Sequence, residues 1–314
     1  MKKYAVKRLI QLIPILLGIT FLSYGMMRLA GSDAITQLYE NIGIAVSPEI
    51  IEEAKAKLGL DQPFLTQYFV WLRNLLQGDM GTSFISGKDV FHTFVSKLPA
   101  TVLLTCSSVI TTIVIAIPLG ILSAVHQNKT IDYLVRFFSF IGNALPNFFV
   151  ALLLMYVFAI RMKLLPVISS NTDFCSIILP TVTLSISMAS KYTRQVRTVV
   201  LEELGKDYVQ GARARGVKES VILWRNVLRS SILSIITLLA LSIGSLLGGT
   251  AIVENIFMWD GVGKLAVDSI VMRDYPVIQA YVIWMAMIYV FVNFITDCIY
   301  RYLDPRVRLE GGGL

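Results

Sequence analysis

The chain has 314 residues, 55% hydrophobic and only 16% charged, with a mean hydropathy of +0.67 and a formal net charge of +7. Soluble domains carry about 25% charged residues, so this composition argues against a soluble enzyme and for a protein solvated by a bilayer. The positive charge does not indicate nucleic-acid binding, because the lysines and arginines stand in short loops beside apolar runs, where they set membrane topology.

Residues 9–27 form the first apolar run, preceded by Lys2, Lys3, Lys7 and Arg8. The run exceeds the roughly 7–15 residues of a secretory signal core, and Leu29-Ala30-Gly31-Ser32 is a poor cleavage site. A retained helix with its N-terminus in the cytoplasm is therefore expected. Residues 31–99 carry eight acids and five bases, the balance of an outer face. Within them 48–60 and 67–76 read as short helices, and Gly78, Gly81 and Gly87 as turns.

Five further spans follow, at 100–125, 137–160, 177–189 (the apolar part of the fourth), 232–253 and 277–300. Pro118 and Gly120 interrupt the second. Gly142, Asn143, Pro146 and Asn147 lie in the third, and Pro180 is near the outer end of the fourth. Six helices place both termini, and every basic cluster, on the cytoplasmic face. Asn143, Pro146 and Asn147 are candidate hinge or pathway residues, although ordinary kinks satisfied by neighbouring helices account for them equally well. Gly244 and Gly248 form a GxxxG pair in the fifth span, suited to close helix approach within one bundle or between subunits.

Between the fourth and fifth spans lies the longest charged stretch, residues 191–229, with nine basic and four acidic residues. Asp207 and Gln210 have the spacing of a capping box. Tyr208, Val209 and Ala212 fall on one side of the helix that would follow. Arg213 and Arg215 suit its C-terminal dipole, and Gly216 is placed to stop it. A second helix is expected to carry Val217, Val221, Trp224 and Leu228 as an apolar stripe. The pattern is a helix, a sharp turn and a helix held at the cytoplasmic face, the form of a docking element.

Residues for independent chemistry are scarce. Asp297 stands four residues before Arg301, the spacing of a local pair, and Glu254 lies at the outer end of the fifth span; neither suggests a midplane proton relay. His92 and His126 fall on opposite sides, and Cys106, Cys175 and Cys298 are far apart, so no metal or redox pattern emerges. Gly261-Val262-Gly263-Lys264-Leu265 lacks the first glycine and the final Ser/Thr of a phosphate loop. No catalytic site, cofactor or metal site is expected on this chain, and a pore without an energy source implies an energising partner.

Nearly the whole chain resembles the membrane-spanning permease subunit of ABC importers of the dipeptide, oligopeptide and nickel class. The resemblance rests on Leu58-Gly59-Leu60-Asp61-Gln62-Pro63, Gln67-Tyr68, Trp71-Leu72, Gly78-Asp79-Met80-Gly81-Thr82-Ser83, Leu98-Pro99-Ala100-Thr101 and Pro146-Asn147-Phe148. Its most specific run is Asp207-Tyr208-Val209-Gln210-Gly211-Ala212-Arg213-Ala214-Arg215-Gly216, similar to the family's EAA or coupling loop. Glu254-Asn255-Ile256-Phe257, Gly261-Val262-Gly263 and Arg273-Asp274-Tyr275-Pro276-Val277-Ile278-Gln279 match the segment before the last span. Ser234 and Asp260 stand where the family usually has proline, which leaves the entry to the fifth span less kinked and an outer turn less rigid.

The resemblance implies an all-α integral membrane protein of the prokaryotic cytoplasmic membrane. Its parts are a first helix (1–30), an external segment (31–99), a five-helix core (100–300) containing the coupling loop (191–229), and a cytoplasmic tail (301–314). The implied partners are a second homologous permease, two cytoplasmic ATPases that hold ATP and Mg, and an external solute-binding protein. Asp207, Tyr208, Val209, Ala212, Arg213, Arg215 and Gly216 would couple the ATPases to the pathway; packing of the loop against the bundle is the competing reading. Overall length and short outer loops look similar to the nickel branch, so nickel or a metal chelate is expected ahead of di- or oligopeptides. The rival function is a carrier or channel not driven by ATP.

Overall fold

The computed structural model describes residues 2–30, 47–57, 61–168 and 174–303. Among these the chain is helical, and the one β pairing is an isolated bridge between Thr82 and Asp89. The helices are α1 (Lys2–Ala30), α2 (Pro48–Lys57), α3 (Phe64–Leu76), α4 (Val90–Val125), α5 (Thr130–Ala144) and α6 (Asn147–Leu154). Then come α7 (Phe174–Leu204), α8 (Asp207–Ala214), α9 (Glu219–Val221), α10 (Leu228–Ile256), α11 (Val262–Met272) and α12 (Tyr275–Leu303). Wide π turns at Met155–Arg161 and Ile222–Val227 extend α6 and join α9 to α10.

Two compact units result, Met1–Pro99 with Gly261–Val290, and Ala100–Asp260 with Phe291–Leu314. Sequence reading set 31–99 apart as the external segment; in the structure residues 261–290 belong to the same unit as residues 1–99. The reason is a buried carboxylate. Asp274, 4% exposed, accepts the Ser83 hydroxyl at 2.5 Å and the Phe84 amide at 3.1 Å, tying the glycine-rich turn to the start of α12. Two donors from a segment nearly 200 residues away satisfy a charge that would be costly to bury alone. Met80, Val90, Val277 and Ala280 form the core beneath it. The rings of Phe94 and Trp284 stack with centroids 5.1 Å apart. In the same unit α3 is fastened to α1 by a hydrogen bond between the Thr20 and Tyr68 hydroxyls, by one from Tyr24 to Gln67, and by the ring edges of Phe21 and Tyr24. The helix expected over 48–60 is present as Pro48–Lys57, and residues 58–60 lie outside the described residues.

The second unit is built around Leu104, Val150, Ala151, Leu154, Leu184, Val253 and Phe257. Three of its buried hydroxyls are satisfied within their own helices: Thr105, Ser108 and Thr183 donate to carbonyls four residues back. That disposition suits a helix without water beside it. Glu254 is fully buried and accepts the Thr101 hydroxyl at 2.8 Å, while the Trp259 ring N–H donates to the Ala100 carbonyl at 3.0 Å. These bonds fasten the far end of α10, and the turn just after it, to the first third of α4. Outward, α4 to α6 present Ile110, Val114, Phe138, Phe140 and Leu152, an apolar surface of the kind covered by lipid or partner helices.

Two expectations about spans change. Residues 137–160 do not form one straight helix: α5 and the α6 segment ending at Arg161 meet at 101°. Pro146 has no N–H, and the residue before a proline is pushed out of the helical region. Leu145 accordingly sits at φ −79°, ψ 130°, and Pro146 becomes the N-cap of α6. The apolar part of the fourth span, 177–189, runs straight on into the basic stretch as expected, in one helix that reaches Leu204, a 31-residue rod about 46 Å long. Pro118 and Gly120 leave α4 unbroken. Three described helices (α4, α7 and Tyr275–Thr296 of α12) are long and apolar enough to span a bilayer, and the bent pair makes a fourth. For the expected spans at 9–27 and 232–253, helices α1 and α10 run 29 residues each, but part of their side chains lies outside the described residues.

Candidate functional site: the basic helix–turn–helix

Past its apolar part, α7 carries the basic stretch outward as continuous helix to Leu204. Gly205 and Lys206 then break it, with Lys206 extended at φ −72°, ψ 151°, and α8 begins at Asp207. The N-cap is therefore Lys206, and no side chain caps the helix, so the Asp207–Gln210 capping box does not form. Asp207 sits in the first turn, where its charge still suits the helix dipole.

The far end of α8 closes as a Schellman turn. Gly216 has φ +73°, its N–H donates to the Arg213 carbonyl at 2.9 Å, and the Val217 N–H donates to the Ala212 carbonyl at 3.2 Å. This pair of bonds is what a left-handed residue after a helix makes possible. The open space around Gly216 shows that its backbone conformation, rather than crowding, calls for glycine.

The expected common face of Tyr208, Val209 and Ala212 divides. Val209 and Ala212 are buried (0% and 4% exposed) in a core with Val196, Val200, Ile222, Val227 and Ile235. Tyr208 is 40% exposed and donates its hydroxyl to Glu203 at 2.9 Å. Removal from water, followed by the bond to Glu203, raises the phenol above its ordinary value. Lys206 meets the same carboxylate at 2.5 Å, so Glu203 clasps the break between α7 and α8 from within. Arg213 binds Glu219 through two nitrogens, at 2.7 and 3.3 Å, bracing the turn from outside. That bond raises Arg213 and lowers Glu219 from their ordinary values. Arg215 is exposed at the C-cap.

Of the stripe expected at Val217, Val221, Trp224 and Leu228, the two ends pack against the core and the two middle positions do not. In the π turn the hydrogen bonds reach five residues rather than four, so Ile222 and Val227, five apart, turn inward. Val221 and Trp224 are left 41% and 69% exposed.

Sequence reasoning missed a charge cluster beneath this element. The Asp132 carboxylate, 0% exposed, receives Arg197 Nε at 2.7 Å and Nη2 at 2.8 Å, the Ser123 hydroxyl at 2.5 Å and the Asn128 amide at 2.9 Å. Four donors from the end of α4, the connecting turn and α7 thus converge on the first turn of α5. A lone acid among Lys129 and Arg136, just ahead of an apolar run, was the signal available.

The pathway candidates lie apart from this element. Asn143 and Pro146 are exposed, Asn147 is half-buried, and all three flank the α5–α6 bend. Gly244 and Gly248 are within α10, and their packing lies outside the described residues, as do the side chains of Asp297, Cys298 and Arg301. Among the described residues no group of three His, Cys, Asp or Glu is arranged to hold a metal ion.

Residues 116–309 match the family described as binding-protein-dependent transport system inner membrane component, and residues 1–105 match its N-terminal region. The oligopeptide transport system permease protein AppB of Bacillus subtilis is 40% identical over 98% of this chain and all of its own length. The nickel import system permease protein NikB of Staphylococcus aureus is 37% identical over 97% of this chain and 92% of its own. Among solved structures, the inward-facing MetNI methionine ABC transporter covers 68% of this chain and 96% of the matched chain, with a TM-score of 0.57 at 16% identity, a likeness of fold.

Proposed function

The chain belongs to the family of inner membrane components of binding-protein-dependent transport systems, and from that premise we propose that it is one permease half of an ATP-driven importer. Six membrane helices form the half-pathway, with both termini and the basic helix–turn–helix in the cytoplasm. A second homologous permease completes the pathway. Two ATPase subunits supply the energy, and an external binding protein delivers solute to the outer unit.

The observation that carries the reading is the construction of α8. Its inner face is held by the chain's own core, its ends are fixed by Glu203 and Gly216, and Tyr208, Gln210, Gly211 and Arg215 are left on the exposed side. A short helix rigidly mounted on a long one transmits displacement; a tether would not. Tyr208 and Arg215 are the contact residues toward the ATPase. Val209, Ala212 and Gly216 support them from behind, Asp207 suits the dipole of the first turn, and Arg213 braces the far end through Glu219. Asn143, Pro146 and Asn147, with the Gly244–Gly248 pair, remain the candidates for hinge or pathway.

For the solute we propose di- or oligopeptides, supported by the 40% identity to an oligopeptide permease along the full chain. Nickel or a nickel chelate is the second reading, favoured by the 37% identity to a nickel permease and by the short outer loops. Uptake of labelled peptides and of radioactive nickel, with and without added chelator, in cells lacking this subunit separates the two. Loss of peptide uptake alone supports the first reading, and loss of nickel uptake alone replaces it with the second.

A further inference from the structure

We propose that Asp132 and Arg197 are positioning residues for energy coupling, forming the joint through which movement of α8 reaches the bend between α5 and α6. The inference rests on the importer reading above and assigns a task to residues outside the docking helix.

Three features lie in one line. First, α8 is fastened to α7 by Glu203, which takes Tyr208 and Lys206 across the Gly205 break. Second, two turns before its end α7 is fastened to α5 by Arg197, whose planar fork grips both oxygens of Asp132. A fork on a carboxylate fixes orientation as well as distance. Third, ten residues further along α5, about 15 Å, Gly142 lies against Ser190 of α7. A Cβ added there would overlap the Ser190 hydroxyl and come within 3.2 Å of its Cβ. Two fixed points on each helix make α5 and α7 one antiparallel body. The 101° bend at Leu145–Pro146 begins three residues past the second point. A push on α8 therefore has no compliant element to deform until it arrives at that bend.

The composition of the joint favours a role beyond stability. A buried ion pair generally adds little net stability over an apolar replacement, because both charges are stripped of water. What this arrangement adds is geometry: the Ser123 hydroxyl and Asn128 amide hold the carboxylate in place independently of Arg197. Arg197 keeps 18% of its side chain exposed, so weakening the pair does not strand its charge. Asp132→Asn preserves shape: its oxygen accepts the Asn128 amide, and the Ser123 hydroxyl reverses to accept from the new NH2; Arg197→Lys preserves charge while removing the fork.

The test uses the complete transporter in proteoliposomes, with its ATPases and binding protein, and a labelled solute that the unaltered complex imports. Assembly, ATP hydrolysis and uptake are read separately for D132N and R197K. Both variants are expected to assemble and hydrolyse ATP, while uptake per ATP falls roughly tenfold in D132N and less in R197K, within the range seen for positions that modulate coupling between sites. Uptake per ATP equal to the unaltered complex in both variants overturns the positioning role. Failure of both to assemble also overturns it, leaving a structural pair. Import by the unaltered complex without ATP would instead overturn the importer reading.

Discussion

At the scale of single residues, burial separates positions that the helical repeat places together. Tyr208, Val209 and Ala212 share a side of α8, but how much of that side is covered depends on α7 and α10, which no local pattern reveals. Val209→Asp would bury an unpaired carboxylate among aliphatic side chains and is expected to abolish accumulation of the protein in membranes, measured by immunoblot. Tyr208→Asp puts a charge at an exposed site and leaves accumulation intact, while ATP hydrolysis becomes uncoupled from uptake. Equal uptake per ATP in this variant and the unaltered complex would remove Tyr208 from the coupling role. Gly216 was legible as a helix stop because only glycine accepts φ +73° without strain; Gly216→Ala should destabilise the turn by about 1 kcal/mol. The Arg213–Glu219 brace has a definite pH dependence. Its carboxylate is held below its ordinary value by the Arg213 hydrogen bond, so the brace is intact across the neutral range and is lost only as pH falls through that depressed value. Amide exchange at Gly216 and Val217, corrected for intrinsic rates, should be flat near neutrality and accelerate only in acid, below the ordinary range of a glutamate.

At the scale of elements, apolar length identified the helices, and local backbone chemistry decided where they broke. Pro118 and Pro146 both stand in apolar runs, yet only the second divides a helix. The difference is in Leu145, which adopts the extended conformation a proline favours in its predecessor, whereas α4 stays helical through residue 117. Packing around each helix sets that outcome, so sequence alone left kink and hinge equally open. Pro146→Ala removes the restriction on Leu145 and is expected to straighten the bend. Spin labels at Tyr133 and Ile160, both exposed, should then move further apart. An unchanged distance would mean that neighbouring helices, rather than the proline, impose the angle. The π turn at Ile222–Val227 is a second element hidden from periodicity, because its one-residue surplus shifts the apolar face and makes an ordinary four-residue count select Val221 and Trp224.

At the scale of the whole molecule, the polar balance of residues 31–99 marked one part of a compact unit but not the contribution of residues 261–290. Ser83 and Asp274 meet only in the folded chain, and neither carries a local pattern announcing the other. The basic stretch was legible as an ordered element because its glycine, acids and apolar spacing agreed with one another. What stayed hidden was its mounting: Asp132, Arg197 and Glu203 were visible as charges, but not as partners. The family places the chain in an importer. In the reading proposed above, the mounting of α8 is what would carry the movement of a partner ATPase into this subunit.

The account is tested most directly by solute uptake into proteoliposomes containing the complete complex, with ATP supplied, withheld, or supplied to ATPase subunits disabled in hydrolysis. Uptake that requires both ATP and active ATPases, and that collapses in the Tyr208→Asp variant while hydrolysis continues, is the predicted result. Uptake that persists without ATP, or follows an ion gradient alone, would contradict it.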